Sequence, residues 1–255
     1  MIKQTMIACS IAAAVLCVSC ETAREASAVE SAPAAAPAVE ISYKAGQLVS
    51  IAAPKVRDGG EAAVKDYFAR ALPLAGRYGL SRDGVFKIER KLVGDYEPDA
   101  IAFFSWPNAE SEAAFSAEPA WREIKALRPA GWEELKTYTA PVERDVTLRF
   151  DKSKVYTLAI AWLAADHPDD YARYMKNIEP ELAAVGGRFV YSMFAPAFEA
   201  HASASVAPGR LTIVEWPTLE SLAALRARPG YQRHYPLFSS GVSQFEFYEI
   251  SPLVR

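Results

Sequence analysis

Cysteine is almost missing from this chain: there are three, Cys9, Cys17 and Cys20, all within the first twenty residues. The body that follows has no thiol, so no disulfide can staple it and no cysteine can act as a nucleophile or hold zinc or an iron-sulfur cluster. Histidine is nearly as scarce. His167, His201 and His234 are the full set, no two at a metal-ligand spacing, and no metal or other cofactor is expected. Basic blocks are absent and the formal net charge is -3, which argues against nucleic acid as a partner. There is no glycine-rich phosphate loop and no nucleophile elbow. The one conspicuous apolar run, Met6 to Val18, is too short for a permanent membrane span.

That run follows a single basic residue, Lys3, and reads as the core of an export signal over residues 1–19. Val18-Ser19-Cys20 resembles the lipobox of bacterial lipoproteins, which implies acylation of Cys20 and attachment to a membrane through that lipid. Cys17 departs from the leucine preferred there. Glu21, in place of aspartate, implies the periplasmic face of the outer membrane. Residues 20–42 are mostly Ala, Glu, Ser and Pro with little to bury, the composition of a disordered tether.

The body contains one stretch written twice. Residues 100–138 align without gaps on residues 210–248: Trp106-Pro107 falls on Trp216-Pro217, Glu110-Ser111 on Glu220-Ser221, Pro119 on Pro229, Gly131 on Gly241 and Tyr138 on Tyr248. Such self-similarity reads as an internal duplication, with repeats over residues 43–141 and 142–255. Leu48 to Ala53 and Val155 to Leu163 have strand length and near-continuous hydrophobicity. Helical periodicity follows both, at Val64, Tyr67, Phe68, Ala71 and Leu72, and at Tyr171, Tyr174, Met175, Ile178 and Leu182. Pro73 and Pro180 predict a kink or break in these helices, and Gly79 and Gly186 a C-terminal cap. Further strands are expected at 85–90, 100–106 and 132–139, and at 188–194, 210–216 and 242–250. The order is βαββαβ, twice, an α+β fold in which helices cover one face of each ferredoxin-like antiparallel sheet. The two bare faces are expected to pack on each other, forming a pseudo-dimer within one chain.

Tyr174, Pro180, Gly186-Gly187-Arg188, the run Arg210 to Pro217, Pro229-Gly230-Tyr231 and Leu237 resemble a small bacterial family, domain of unknown function 1330, of the dimeric α+β barrel superfamily. The first repeat is similar but eroded. The resemblance implies the barrel fold and leaves the activity open, since superfamily relatives include cofactor-free monooxygenases, an isomerase and haem-using chlorite dismutases. It also leaves open whether the pseudo-dimer pairs again as a homodimer.

Polar groups are concentrated in the second repeat. Arg188, Glu215, Tyr231 and His234 stand where the first repeat has Ser81, Ser105, Trp121 and Ile124. Glu215 shares a strand face with Leu211 and Ile213, and strand pairing brings Arg188 beside it. One reading is a structural ion pair. Another makes Glu215 and His234 the catalytic groups of a cofactor-independent monooxygenase or isomerase, with Arg188, Tyr231, Tyr174 and Trp216 binding the ligand. A third uses His234 as a haem ligand. The reading favoured overall is a lipid-anchored envelope protein that binds a small apolar or amphipathic molecule or a protein partner. Both other histidines are expected to be exposed and inert.

Overall fold

The structure is a computed structural model that describes residues 38–204 and 206–253. The export signal, Cys20 and most of the expected tether lie outside the described residues. In the first half, strands β1 (Ala38–Tyr43) and β2 (Leu48–Val56) precede helix α1 (Glu61–Gly76). Strands β3 (Ser81–Val93) and β4 (Ala100–Trp106), short helices α2 (Ala109–Ser116), α3 (Pro119–Lys125) and α4 (Arg128–Gly131), and strand β5 (Trp132–Pro141) complete it. The second half runs β6 (Val146–Asp151), β7 (Val155–Leu163), α5 (Asp170–Ala184), β8 (Arg188–Phe194), β9 (Ala197–Ala200), β10 (Arg210–Trp216), α6 (Glu220–Ala227), α7 (Pro229–Gly241) and β11 (Val242–Pro252).

Each half has the ferredoxin-like antiparallel order, β3-β4-β2-β5 and β8-β10-β7-β11. The halves join edge to edge, β11 against β3 and β9 against β5. β8 and β9 sit at opposite ends of the nine-stranded order yet are separated only by Ala195 and Pro196. Their continuity closes the sheet into a barrel. The fold is the expected intrachain α+β barrel, with the two sheets united by strand pairing as well as by their shared interior. In the first half one long strand, β3, pairs with both β4 and β11. In the second half the same task is divided at Ala195, whose φ of 39° is unusual for a residue with a side chain.

Residues that alternate inward fill the barrel: Val49, Ile51, Phe103 and Tyr138 from one half, Tyr156, Leu158, Ile213 and Tyr248 from the other. The expected tether ends earlier than its composition implied, because Ala38 to Ser42 already belong to β1. There Ile41 and Tyr43 turn inward while Glu40 and Ser42 face out, an alternation too short to register against the Ala- and Pro-rich run before it. β1 pairs with β6, setting Ile41 opposite Leu148, and both strands feed the barrel core. Each half therefore opens with a strand that the βαββαβ reading omitted.

The predicted helix breaks do not occur. α1 and α5 run through Pro73 and Pro180, both exposed; neither proline has an N–H to donate to the carbonyl four residues back, which belongs to exposed Ala69 or Lys176, where water can serve it. The glycine caps do form. Gly79 and Gly186 have φ of 82° and 76°, and Leu80 and Gly187 donate back to Ala75 and Leu182. A Cβ on either glycine would lie 2.5 Å from Pro107 or 2.7 Å from Pro217. This contact explains why a Trp-Pro pair and a distant glycine recur together in both halves.

Candidate functional site

β8 runs antiparallel to β10 with Arg188 opposite Glu215. The guanidinium grips the carboxylate at both oxygens, Nε to Oε1 at 2.9 Å and Nη2 to Oε2 at 2.7 Å. Tyr156 donates its hydroxyl to Oε2 at 2.9 Å and accepts the Asp151 N–H at 2.7 Å. Burial and this bond to Glu215 push the Tyr156 phenol well above its ordinary pKa. Hydrogen bonding to Glu215 likewise raises Arg188. Glu215 is 12% exposed and points, with Leu211 and Ile213, toward the barrel end. Both its oxygens are engaged. His234 is on α7, with Nδ1 3.4 Å from Asn177 Nδ2 of α5, on the helix-covered side of the sheet. The proposed Glu215, Arg188 and His234 cluster is thus not assembled: the sheet separates the carboxylate from the imidazole.

The other three predicted residues do meet. Tyr174, Tyr231 and Trp216 line a cavity of about 560 Å³ between the outer sheet face and α5, α6 and α7. Its lining is mainly apolar and aromatic, including Met175 and Phe238, with Thr212, Arg226 and Gln232 as polar members. Burial, reinforced by Tyr231, drives the Tyr174 phenol far above its usual value, so this hydroxyl stays neutral. The space exists because central strand β7 carries large side chains inward and small ones, Thr157, Ala159 and Ala161, outward beneath the helices.

The same logic operates in the first half. Outward-facing Ser50 and Ala52 of β2 and Ala102 of β4 leave a second cavity, about 580 Å³, beneath α1 and α3. Its wall contains a charge that the sequence reading passed over. Arg128 has a side chain only 6% exposed, with Nε 3.3 Å from the Tyr67 hydroxyl and the guanidinium carbon 5.4 Å from the centre of the Trp121 ring. Its Nη1 and the Lys125 Nζ both reach the same oxygen, Oε1, of Glu199, at 2.5 and 2.8 Å. Glu199 comes from β9, so the second half supplies a wall residue to the first half's cavity. Arg128 aligns with Phe238 of the second half and sits inside a Leu-Arg-Pro break whose local pattern suggests a solvated turn.

A third polar group is sealed inside the barrel. Lys136 Nζ lies 2.6 Å from Glu246 Oε1, with side chains 8% and 2% exposed, and 4.0 Å from the centre of the Tyr96 ring. His201, expected to be exposed, is half-buried, with its side chain 9% exposed. Its Nδ1 accepts the Leu135 N–H at 2.8 Å, while the N–H groups of His201, Ala202 and Ser203 converge on the Glu134 carboxylate. The Ala- and Ser-rich loop concealed this because its backbone, not its side chains, makes most of the contacts.

Residues 154–243 match the family described as a domain of unknown function (DUF1330). No curated protein matches the chain. Among solved structures, an anthrone oxidase-like protein is 10% identical with a TM-score of 0.50, covering 83% of this chain and 94% of its own. Chlorite dismutase from Candidatus Nitrospira defluvii is 11% identical with a TM-score of 0.42, covering 82% and 93%. A protein of unknown function from Rhodopseudomonas palustris is 18% identical with a TM-score of 0.32, covering 42% and 83%. At 10% identity the likeness to the anthrone oxidase-like protein concerns the fold alone.

Proposed function

We propose that this protein binds small apolar or amphipathic molecules in the two cavities between sheet and helices, one in each half. The observation that supports this reading is the pair of cavities itself. Both are clefts of several hundred cubic ångströms that open to solvent, and pockets of this size lined by aromatics suit small ligands. In this reading the chain is held at the cell envelope by a lipid on Cys20, with the export signal removed, and the two halves descend from one duplicated unit. The intrachain barrel already uses the sheet edges, so association with a second copy would need another surface. An oxygenase or isomerase built on Glu215, Arg188 and His234 draws no support from this geometry, because the carboxylate faces away from both cavities.

Titration with the neutral apolar fluorophore N-phenyl-1-naphthylamine tests the reading. Saturable enhancement approaching two probes per chain is expected from the two cavities. Absence of saturable uptake would overturn it.

A further inference from the structure

The two cavities are alike in size and opposite in polarity at one equivalent position, Arg128 against Phe238. We infer that the first-half cavity is selective for an amphipathic monocarboxylate, whose apolar body lies against Trp121 and Phe115 and whose carboxylate is received by Arg128. The inference rests on the ligand-binding reading above and narrows it to one ligand class for one cavity.

Burying a guanidinium is unfavourable unless its charge and its N–H donors are met. Arg128 is nearly enclosed, yet its counter-ion is shared: Lys125 and Arg128 both bind Oε1 of Glu199, leaving two cations on one carboxylate oxygen. Nε is directed to Tyr67 and Nη1 to Glu199, and among the described residues no hydrogen bond engages Nη2. A planar donor fork with one free arm, beside aromatic walls and excess positive charge, matches a carboxylate better than a hydroxyl or an amide. Arg122 and Glu112 line the same cavity, so its wall carries three cations, Arg122, Lys125 and Arg128, against two carboxylates, Glu112 and Glu199. Glu199 is the internal competitor: the ligand's carboxylate would join or replace it on Arg128. The second-half cavity has exposed Arg226 at its rim and Phe238 in its wall, which suits an uncharged apolar molecule.

Isothermal titration calorimetry of the full chain with decanoate and with decan-1-ol separates charge recognition from apolar burial. Decanoate should bind at least about tenfold more tightly at one site per chain, the scale of a hydrogen bond to a charged group in a sheltered site. Arg128→Met should abolish that preference while leaving decan-1-ol binding in place. Glu199→Gln should strengthen decanoate binding several-fold, an effect that a merely structural Glu199 would not produce. Should Arg128→Met fail to fold, Lys125→Met, at a side chain 43% exposed, should weaken the preference by removing part of the positive excess. Equal affinities for acid and alcohol, or a preference that survives both cation variants, would overturn the inference and leave the ligand-binding reading standing. Binding of neither compound would overturn both.

Discussion

Lys136 in β5 and Glu246 in β11, each the fifth residue of the last strand of its half and 110 residues apart, meet each other across the barrel at 2.6 Å. In a pair of identical chains this position would set like against like. Within one chain it is a buried salt bridge, bounded by Tyr96 and by the Tyr248 hydroxyl, 3.0 Å from Glu246 Oε2. The pair therefore favours association of the first half with the second over association of either half with its own kind.

Removing one partner should be costly because it strands the other charge. Lys136→Met or Glu246→Leu alone should lower unfolding free energy by about 3 to 5 kcal/mol, and the double replacement should recover much of the loss. Urea denaturation of the four proteins in the cycle measures the coupling. Additive single effects would show that the pair is not coupled.

Both carboxylate oxygens of Glu215 are engaged by Arg188 and Tyr156. Glu215→Gln should destabilise the protein by about 1 to 3 kcal/mol, through weakened bonds to Arg188 and Tyr156, and leave binding of N-phenyl-1-naphthylamine unchanged. Loss of binding with intact stability would restore a functional role for this carboxylate.

The small residues beneath the helices hold the cavities open. Ala159→Leu should occlude the second-half cavity and Ala102→Leu the first, each reducing probe stoichiometry by one while the other cavity still binds. Probe titration of the two variants reads this directly, and unchanged stoichiometry in both would place the binding elsewhere.

Stability should be flat in the middle of the pH range and fall at both ends. Burial pushes the phenols of Tyr171 and Tyr191 up to about 12 from 10.0, so both stay neutral in the folded state. Their contribution is complete below about pH 10 and is lost as pH rises toward 12. On the acid side, burial alone would raise Glu134, but hydrogen bonds from Ser203, Ala202 and Leu135 outweigh it and hold the carboxyl below 4.5. That contribution is present above 4.5 and lost as pH falls through the lowered value. Thermal melts from pH 3 to pH 12 check both limbs. Glu134→Gln should flatten the acid limb, and an acid limb unchanged in that variant would contradict the assignment.

The proposed envelope location rests on Cys20. Palmitate labelling in the native host should mark the protein and disappear in Cys20→Ser, with release of the chain from the membrane fraction. Unlabelled wild-type protein would refute lipidation.

The barrel was legible in the sequence because the apolar strands and the repeated Trp-Pro and glycine positions reflect local rules of alternation, capping and close contact. β10 occupies the span its residues indicate. β1 and β6 were missed because six-residue strands leave a weak period against neighbouring coil. The candidate site was half visible. Tyr174, Tyr231 and Trp216 do converge, whereas Glu215 and His234 are parted by a sheet whose two faces cannot be ranked from one strand alone. Arg128 was hidden by its Leu-Arg-Pro context, and its partner Glu199 belongs to the other half of the chain. A better signal lay in Ser50, Ala52 and Ala102, and in Thr157, Ala159 and Thr212, small residues facing out exactly where helices must cover them and therefore leaving space.

Native mass spectrometry of the protein purified from its own host, followed by denaturation and identification of what is released, tests the central claim most directly. The account predicts a small apolar molecule bound in stoichiometric amount, with a monocarboxylate among the species released. A bare chain that also takes up neither N-phenyl-1-naphthylamine nor decanoate would contradict it.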